Sequence, residues 1–365
     1  MASRVLALTV SAIPQTELSS LLRAAYNWLS GVPGIVTSSL SVPSQNRRFV
    51  SAMLMLLLLD GGKPAVAQAA PAMEASGQSV EVQMRNVMYH FTDDIIVHIR
   101  KLRGKLAPKG HNLPIFDDKE SFTLQIASAE IAMTPDSLAN VLNSYVFSGR
   151  DAPLKNISIR IEKGRLKVKG KLHSKGDISF ETEGQLSATP DGKIRMHTEK
   201  VKAIHLPVKG LMDLVGIEIS DLIKTGKVRG VQVEKDDLIL DPQTVLPPPH
   251  IGGQVKEVRL ESDNIVQVFQ SPGTPATMQV AAVNYMAYRG NQLRFGKLTM
   301  SDTDMALIDM DPKDPFDFYL DHYKEQLVAG YTKETPAFGL RVFMRDYNKL
   351  PRTKSVRAPQ AKTAK

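Results

Sequence analysis

Between Val80 and Ile194, apolar residues fall repeatedly at every second position. SVEVQMRNVMYH sets Val80, Val82 and Met84 on one side, DDIIVHIRKL sets Ile95, Val97 and Ile99, and SFTLQIASAEI sets Phe122, Leu124 and Ile126. A period of two belongs to strands with one face buried and the other wet. KNISIRIEK continues it with Ile157, Ile159 and Ile161. RLKVKGKL turns Leu166, Val168 and Leu172 inward and Arg165, Lys167, Lys169 and Lys171 outward, and DISFETEGQL turns Phe180 inward and Glu181 and Glu183 outward. Basic and acidic outer faces on successive strands suit cross-strand ion pairs. No aromatic residues interleave with the lysines, which argues against a nucleic-acid surface. The alternation slips near Glu199–Lys200, which predicts a bulge.

Two stretches carry helical spacing instead. In MTPDSLANVLNSYVF, Thr134 stands at an N-cap, Pro135 at the first helical position and Asp136 in the first turn, with Leu138, Val141, Leu142 and Tyr145 on one stripe. LPVKGLMDLVGIEISDLIKT can place Leu211, Leu214 and Val215 together, with Gly216 as an interruption. A short hairpin follows, and then LDPQTVLPPPHIGG, whose four prolines exclude both a helix and a central strand. Beyond it lie a hairpin turning at Ser262-Asp263-Asn264, further strands, and a helix expected over 314–330 with Asp314 as its cap.

These patterns predict an α+β fold, a long antiparallel curved sheet packed on amphipathic helices, with a smaller strand-rich C-terminal unit. The expected divisions are a leader over 1–69, an α+β unit over 70–242, a proline-rich connector over 243–253, a strand-rich unit with a terminal helix over 254–348 and a basic tail over 349–365. The net charge of +8 resides in the two ends. Residues 1–69 contribute +3 and 349–365 contribute +6, which leaves −1 for the body.

Within the leader, NRRFVSAMLMLLLLDGGKPAVAQAA runs from two arginines through an apolar stretch to small-x-small sites. That order is the secretory-signal layout, over 46–69. The expected location is the periplasm or the outside of the cell, and the signal's distance from Met1 raises the expectation of a start codon farther downstream. With no cysteine there is no lipobox, no disulfide and no thiolate chemistry.

No phosphate-binding glycine loop, nucleophile elbow or zinc-protease motif occurs. The stretch SDTDMALIDMDPKDPFDF gathers Asp302, Asp304, Asp309 and Asp311, but it has neither the spacing nor the glycine turn of a calcium loop. The expectation is therefore no catalytic residue, no metal and no cofactor.

IASAEIAMTPDSLANVLN, ISIRIEKGRLKVKGKL, LPVKGLMDLVGIEISDLI and VRGVQVEKDDLILDP follow one another in an order of strand-then-helix, basic-faced hairpin, second helix and closing hairpin. Residues 120–269 thereby resemble the LmeA-like bacterial periplasmic phospholipid-binding family, distant kin of the TULIP lipid-binding superfamily. The resemblance implies a curved sheet wrapped on a helix, an elongated apolar cavity for lipid tails, no cofactor and no catalysis. On that reading Leu138, Val141, Leu142, Tyr145, Ile157, Ile159, Ile161, Val168, Phe180, Leu211, Leu214 and Val215 line or back the cavity. The partner is a phospholipid or other acyl-chain lipid, met during transient membrane contact. The alternative is a structural or partner-binding envelope protein with a solid core.

Overall fold

A meander opens the chain: β1 (Val80–His90), β2 (Ile96–Pro108) and β3 (Phe122–Met133). The computed structural model describes residues 79–110, 113–173, 177–203, 220 and 228–351, all within one unit, Ala72–Lys365. After β3 comes α1 (Pro135–Val141), which runs into a π-helical turn, Leu142–Val146. The cap is the one the sequence predicts, with Thr134 Oγ1 accepting from the Ser137 N–H at 3.1 Å.

The next strands build a separate antiparallel sheet from β4 (Leu154–Glu162), β5 (Arg165–Leu172), β6 (Ile178–Ala188), β7 (Ile194–Ala203), β8 (Val231–Glu234) and β9 (Asp237–Leu240), in the order β4-β5-β6-β7-β9-β8. Its wet face carries the predicted ion pairs. Glu181 lies 2.9 Å from Lys169 and 3.2 Å from Lys167, and Arg165 pairs with Glu199. Register slips where the alternation broke, because Glu183 pairs with Lys200 and Gly184 with Thr198, leaving Glu199 as the extra residue.

Against the expectation that the proline stretch holds no helix, a short helix α2 (Pro242–Val245) forms there, because Pro242 sits in its first turn, where no N–H is needed, and Asp241 caps it; it leads through the prolines to β10 (His250–Gly252), β11 (Val255–Leu260), β12 (Ile265–Gln270) and β13 (Tyr285–Gly290). A small hairpin of β14 (Leu293–Phe295) and β15 (Leu298–Met300) precedes β16 (Thr303–Asp309), β17 (Phe316–Tyr319), α3 (Tyr323–Val328), β18 (Tyr331–Glu334) and β19 (Leu340–Met344). These strands join the first three in an eleven-stranded sheet, ordered β11-β12-β3-β2-β1-β13-β16-β19-β18, with β10 added beside β3 and β17 beside β1. The proline connector therefore does not divide one sheet from another. Strands from both sides of it share one ladder and one core cluster, which runs from Val80 to Met344.

The α+β expectation is overturned. Of the described residues 53% are in strands and 12% are helical, in three sheets with only two substantial helices. The apolar face of the large sheet is covered chiefly by its own strands, with single helical residues such as Val141 and Tyr323 added to the cluster. The helix expected over 314–330 shows why. Asp314-Pro315 reads as a cap but serves a turn, and Phe316–Tyr319 instead pairs in parallel with Val87–His90, all four residues buried. The helix starts only at Tyr323 and lasts six residues. The leader, the second helical stretch at Leu211–Val215 and most of the basic tail lie outside the described residues.

β1 changes partner midway. Val80–Arg85 pairs antiparallel with β13, and Val87–His90 pairs parallel with β17. At the joint Asn86 has φ 53°, a left-handed conformation that asparagine adopts more readily than most side chains.

Candidate functional site

The three strands of the opening meander each change parity in the middle. On β2 the buried residues are Val97 and Ile99, then Leu102 and Leu106, and the pairing skips Arg100. On β3 the cavity-side buried residues are Phe122, Leu124 and Ile126, then Ala129 and Met133, with Ala132 buried on the other parity, and the pairing skips Ala127. On β1, Met84 gives way to Val87 and Tyr89 across Asn86. An unchanged period of two would have turned half of each strand's apolar set outward. The extra residues keep both halves on one side and bend the strands.

On that side lies a cavity of about 60 Å³. Met84 and Tyr89 of β1, Ile99 and Leu102 of β2, and Ile131 and Met133 of β3 line it, with Gln267 and Phe269 of β12 and Met286 and Tyr288 of β13. β12 and β13 are four places apart in the sheet, about 19 Å on a flat ladder. They can share one cavity only because the sheet curls. The proline segment forms a further stretch of the wall through Leu246, Pro249 and Ile251. Phe116 meets Tyr288 and Phe318 edge-on, with ring centres 5.7 and 6.0 Å apart. Of the 22 lining residues none is charged, and Gln267 alone carries an amide.

The charges sit on the opposite face of the same strands. Arg100, the extra residue of β2, donates to Glu261 through both Nη atoms, at 2.9 and 2.5 Å, and to Glu130 at 3.0 Å. Hydrogen bonds from Arg100 are the chief reason both carboxyls stay below the ordinary glutamate value. Arg103 donates to the Pro275 carbonyl at 3.3 Å and to Thr277 Oγ1 at 3.1 Å.

A polar chain that runs from half-buried to buried fixes the joint in β1. Burial and the nearby Arg100 lower the His98 pKa, so the ring is neutral at pH 7 and its Nε2–H donates to Asn86 Oδ1 at 2.8 Å. Asn86 Nδ2 donates to Asn284 Oδ1 at 2.7 Å, and Asn284 Nδ2 donates to Asp309 Oδ2 at 2.8 Å. Burial raises the Asp309 carboxyl to about 6. Farther along, His90 lies 2.5 Å from Asp317, whose N–H donates to Asp346 Oδ1 at 2.8 Å.

The aspartates singled out from the sequence do not converge. Asp302 is exposed, Asp304 takes Arg341 at 3.1 Å, Asp309 belongs to the asparagine chain, and Asp311 takes Lys349 at 3.0 Å. Among the described residues no three histidine, aspartate or glutamate side chains are placed to hold a metal ion.

The expected lipid-lining residues are elsewhere. Leu142, Ile157, Ile159, Val168 and Phe180 close a second core behind the small sheet, with Ile161 packed against it. Leu138 packs against both cores, Val141 belongs to the large-sheet cluster, and Tyr145 is 43% exposed. Leu211, Leu214 and Val215 lie outside the described residues. None of the described candidates lines the cavity. Six residues that do, Met84, Val97, Ile99, Phe122, Leu124 and Ile126, were legible as inward-facing from their alternation. What the alternation cannot register is the curl that turns one sheet face into an enclosure.

No family model, curated protein or solved structure matches this chain.

Proposed function

We propose that the protein is a non-enzymatic lipid carrier of the periplasm or the extracellular space, and that the cavity behind the large sheet receives the apolar portion of its cargo. The observation that carries this reading is the chemistry of the lining, uncharged throughout and drawn from six strands and the proline segment. From Val97 to Leu106 the lining follows β2 over ten residues, about 30 Å of extended strand. A linear chain fits that shape, and each methylene taken from water contributes about 0.8 kcal/mol.

The void of about 60 Å³ equals the volume of about two water molecules. Cargo therefore enters by parting side chains, and Met84, Met133 and Met286 are the flexible ones. The same small volume favours the second reading, a solid-cored structural protein of the envelope.

Native mass spectrometry of the purified protein, followed by solvent extraction, separates the two. A carrier retains a lipid in stoichiometric amount, or takes up a fluorescent fatty acyl probe. Ile99→Trp, which fills the lumen, abolishes uptake and leaves the circular-dichroism spectrum intact. A folded, empty protein that takes up no probe would establish the solid core.

A further inference from the structure

Two phenols break the apolar character of the cavity, Tyr89 on β1 and Tyr288 on β13. They are 6% and 3% exposed. Both residues line the cavity, as does Gln267, and their hydroxyls are not among the fully enclosed polar atoms left without a partner, which among the described residues are His90 Nδ1, Thr182 Oγ1 and Asp346 Oδ2; they are donors open to the lumen. Other buried tyrosines of this protein are satisfied: Tyr285 meets Gln83, and Tyr323 donates to Asp117 Oδ2 at 3.0 Å. A donor that faces an apolar lumen gains when a bound molecule supplies an acceptor.

Burial raises both phenols well above the ordinary tyrosine value, and for Tyr288 the nearness of Tyr89 adds to the effect. Both therefore remain protonated donors at any physiological pH. They flank Phe318 and Phe116, with ring centres 5.9 Å apart for Tyr89–Phe318 and 5.7 Å for Phe116–Tyr288. No lysine, arginine or histidine lines the cavity. A carboxylate or phosphate taken inside would be an unpaired buried charge, the least tolerable group in such surroundings.

From these placements, and resting on the carrier reading above, we infer that the cavity selects a neutral lipid bearing a hydrogen-bond acceptor, such as an ester, ketone or quinone carbonyl, which the Tyr89 and Tyr288 hydroxyls hold. An ionised headgroup stays outside the enclosure.

The test is displacement of N-phenylnaphthylamine, a neutral fluorescent probe, from the purified protein by three sixteen-carbon chains: hexadecane, methyl palmitate and palmitate at pH 8. The expected order is methyl palmitate at least tenfold tighter than hexadecane, with palmitate weaker than its methyl ester. In the double variant Tyr89→Phe/Tyr288→Phe the ester's advantage falls below threefold while hexadecane binding is unchanged. Equal binding of ester and alkane by the unmodified protein, or palmitate binding best, overturns the inference and leaves the carrier reading standing. An ester preference undiminished in the double variant overturns the assignment to these two hydroxyls. If neither the probe nor any of the chains binds, the carrier reading fails, and this inference with it. Should the double variant not fold, the order measured on the unmodified protein still decides.

Discussion

Asn86 Nδ2 donates to Asn284 Oδ1 at 2.7 Å, across the joint where β1 exchanges one partner strand for another. Asn284 is buried and also serves Asp309, so it cannot be removed without stranding groups on both sides. Asn284→Ala is expected to destabilise the fold by about 1–3 kcal/mol, the penalty for buried polar groups left unpaired. Urea unfolding checks it. The midpoint should fall with an unchanged slope, and an unshifted midpoint would show that the asparagine pair does not hold the joint.

Asp309 gives the fold a pH dependence of unusual sign for a carboxylate. Its pKa is raised from the ordinary 3.8 to about 6, chiefly by burial, so in the window between these values the folded state binds the proton more tightly than the unfolded state does. The stability it contributes is full below about 4 and is lost as pH rises through 6. Glu130 and Glu261, both lowered by Arg100, act in the opposite direction, giving stability above their ordinary value that is lost as pH falls. The Asp309 effect is therefore read as a difference. Between pH 4 and 7 the stability of the unmodified protein should decline relative to Asp309→Asn, and the Asp309 carboxyl carbon should titrate near 6 by NMR.

Arg100 holds two glutamates on the wet face at the residue where β2 changes parity. Lysine keeps the charge but cannot make the two parallel bonds to Glu261. Arg100→Lys is expected to cost about 0.5–1 kcal/mol at low salt, since all three side chains are partly exposed, and less in 1 M salt. A loss that does not shrink with salt would mean that packing of the arginine stem, not its charge, matters.

Phe338 is 91% exposed and sits at φ 60°, in the turn between β18 and β19 where its N–H donates to the Thr335 carbonyl at 2.9 Å. Its ring makes no burial worth keeping, and its backbone is one that asparagine tolerates better. Phe338→Asn should stabilise the protein by about 0.5–1 kcal/mol, read as a rise in Tm. A fall instead would locate a contact that the ring makes in solution.

The sequence disclosed strands more fully than it disclosed their assembly. Alternation set the inner faces of β4 to β6 and of the first halves of β1 to β3, the slip at Glu199 located a bulge, and Thr134-Pro135 marked the start of a helix that turns π-helical after Val141 and leaves Tyr145 exposed. Asp314-Pro315 misled, because a cap signal and a turn signal use the same residues and only pairing with β1 decides between them. The prolines over 247–249 read as a spacer between units, since local stiffness says nothing of what lies beside it; here β3 and the cavity do. The expected lining residues and the cavity lie apart for a related reason. Periodicity assigns residues to an inside, and this chain has two of them, behind two sheets.

The divided partnership of β1 also sets an order of assembly. The small sheet grows largely by hairpins between neighbours in sequence, β4 to β5 to β6 to β7, and such local pairings close quickly. β1 has only β2 near at hand; its other edge waits for Tyr285–Gly290 and Phe316–Tyr319. A chain cut after Gln270 would thus present a long, bare strand edge, which is what invites pairing with other molecules. The first strand of the described fold keeps one edge open until the C-terminal third is made, so that third acts toward it as a built-in guard against aggregation.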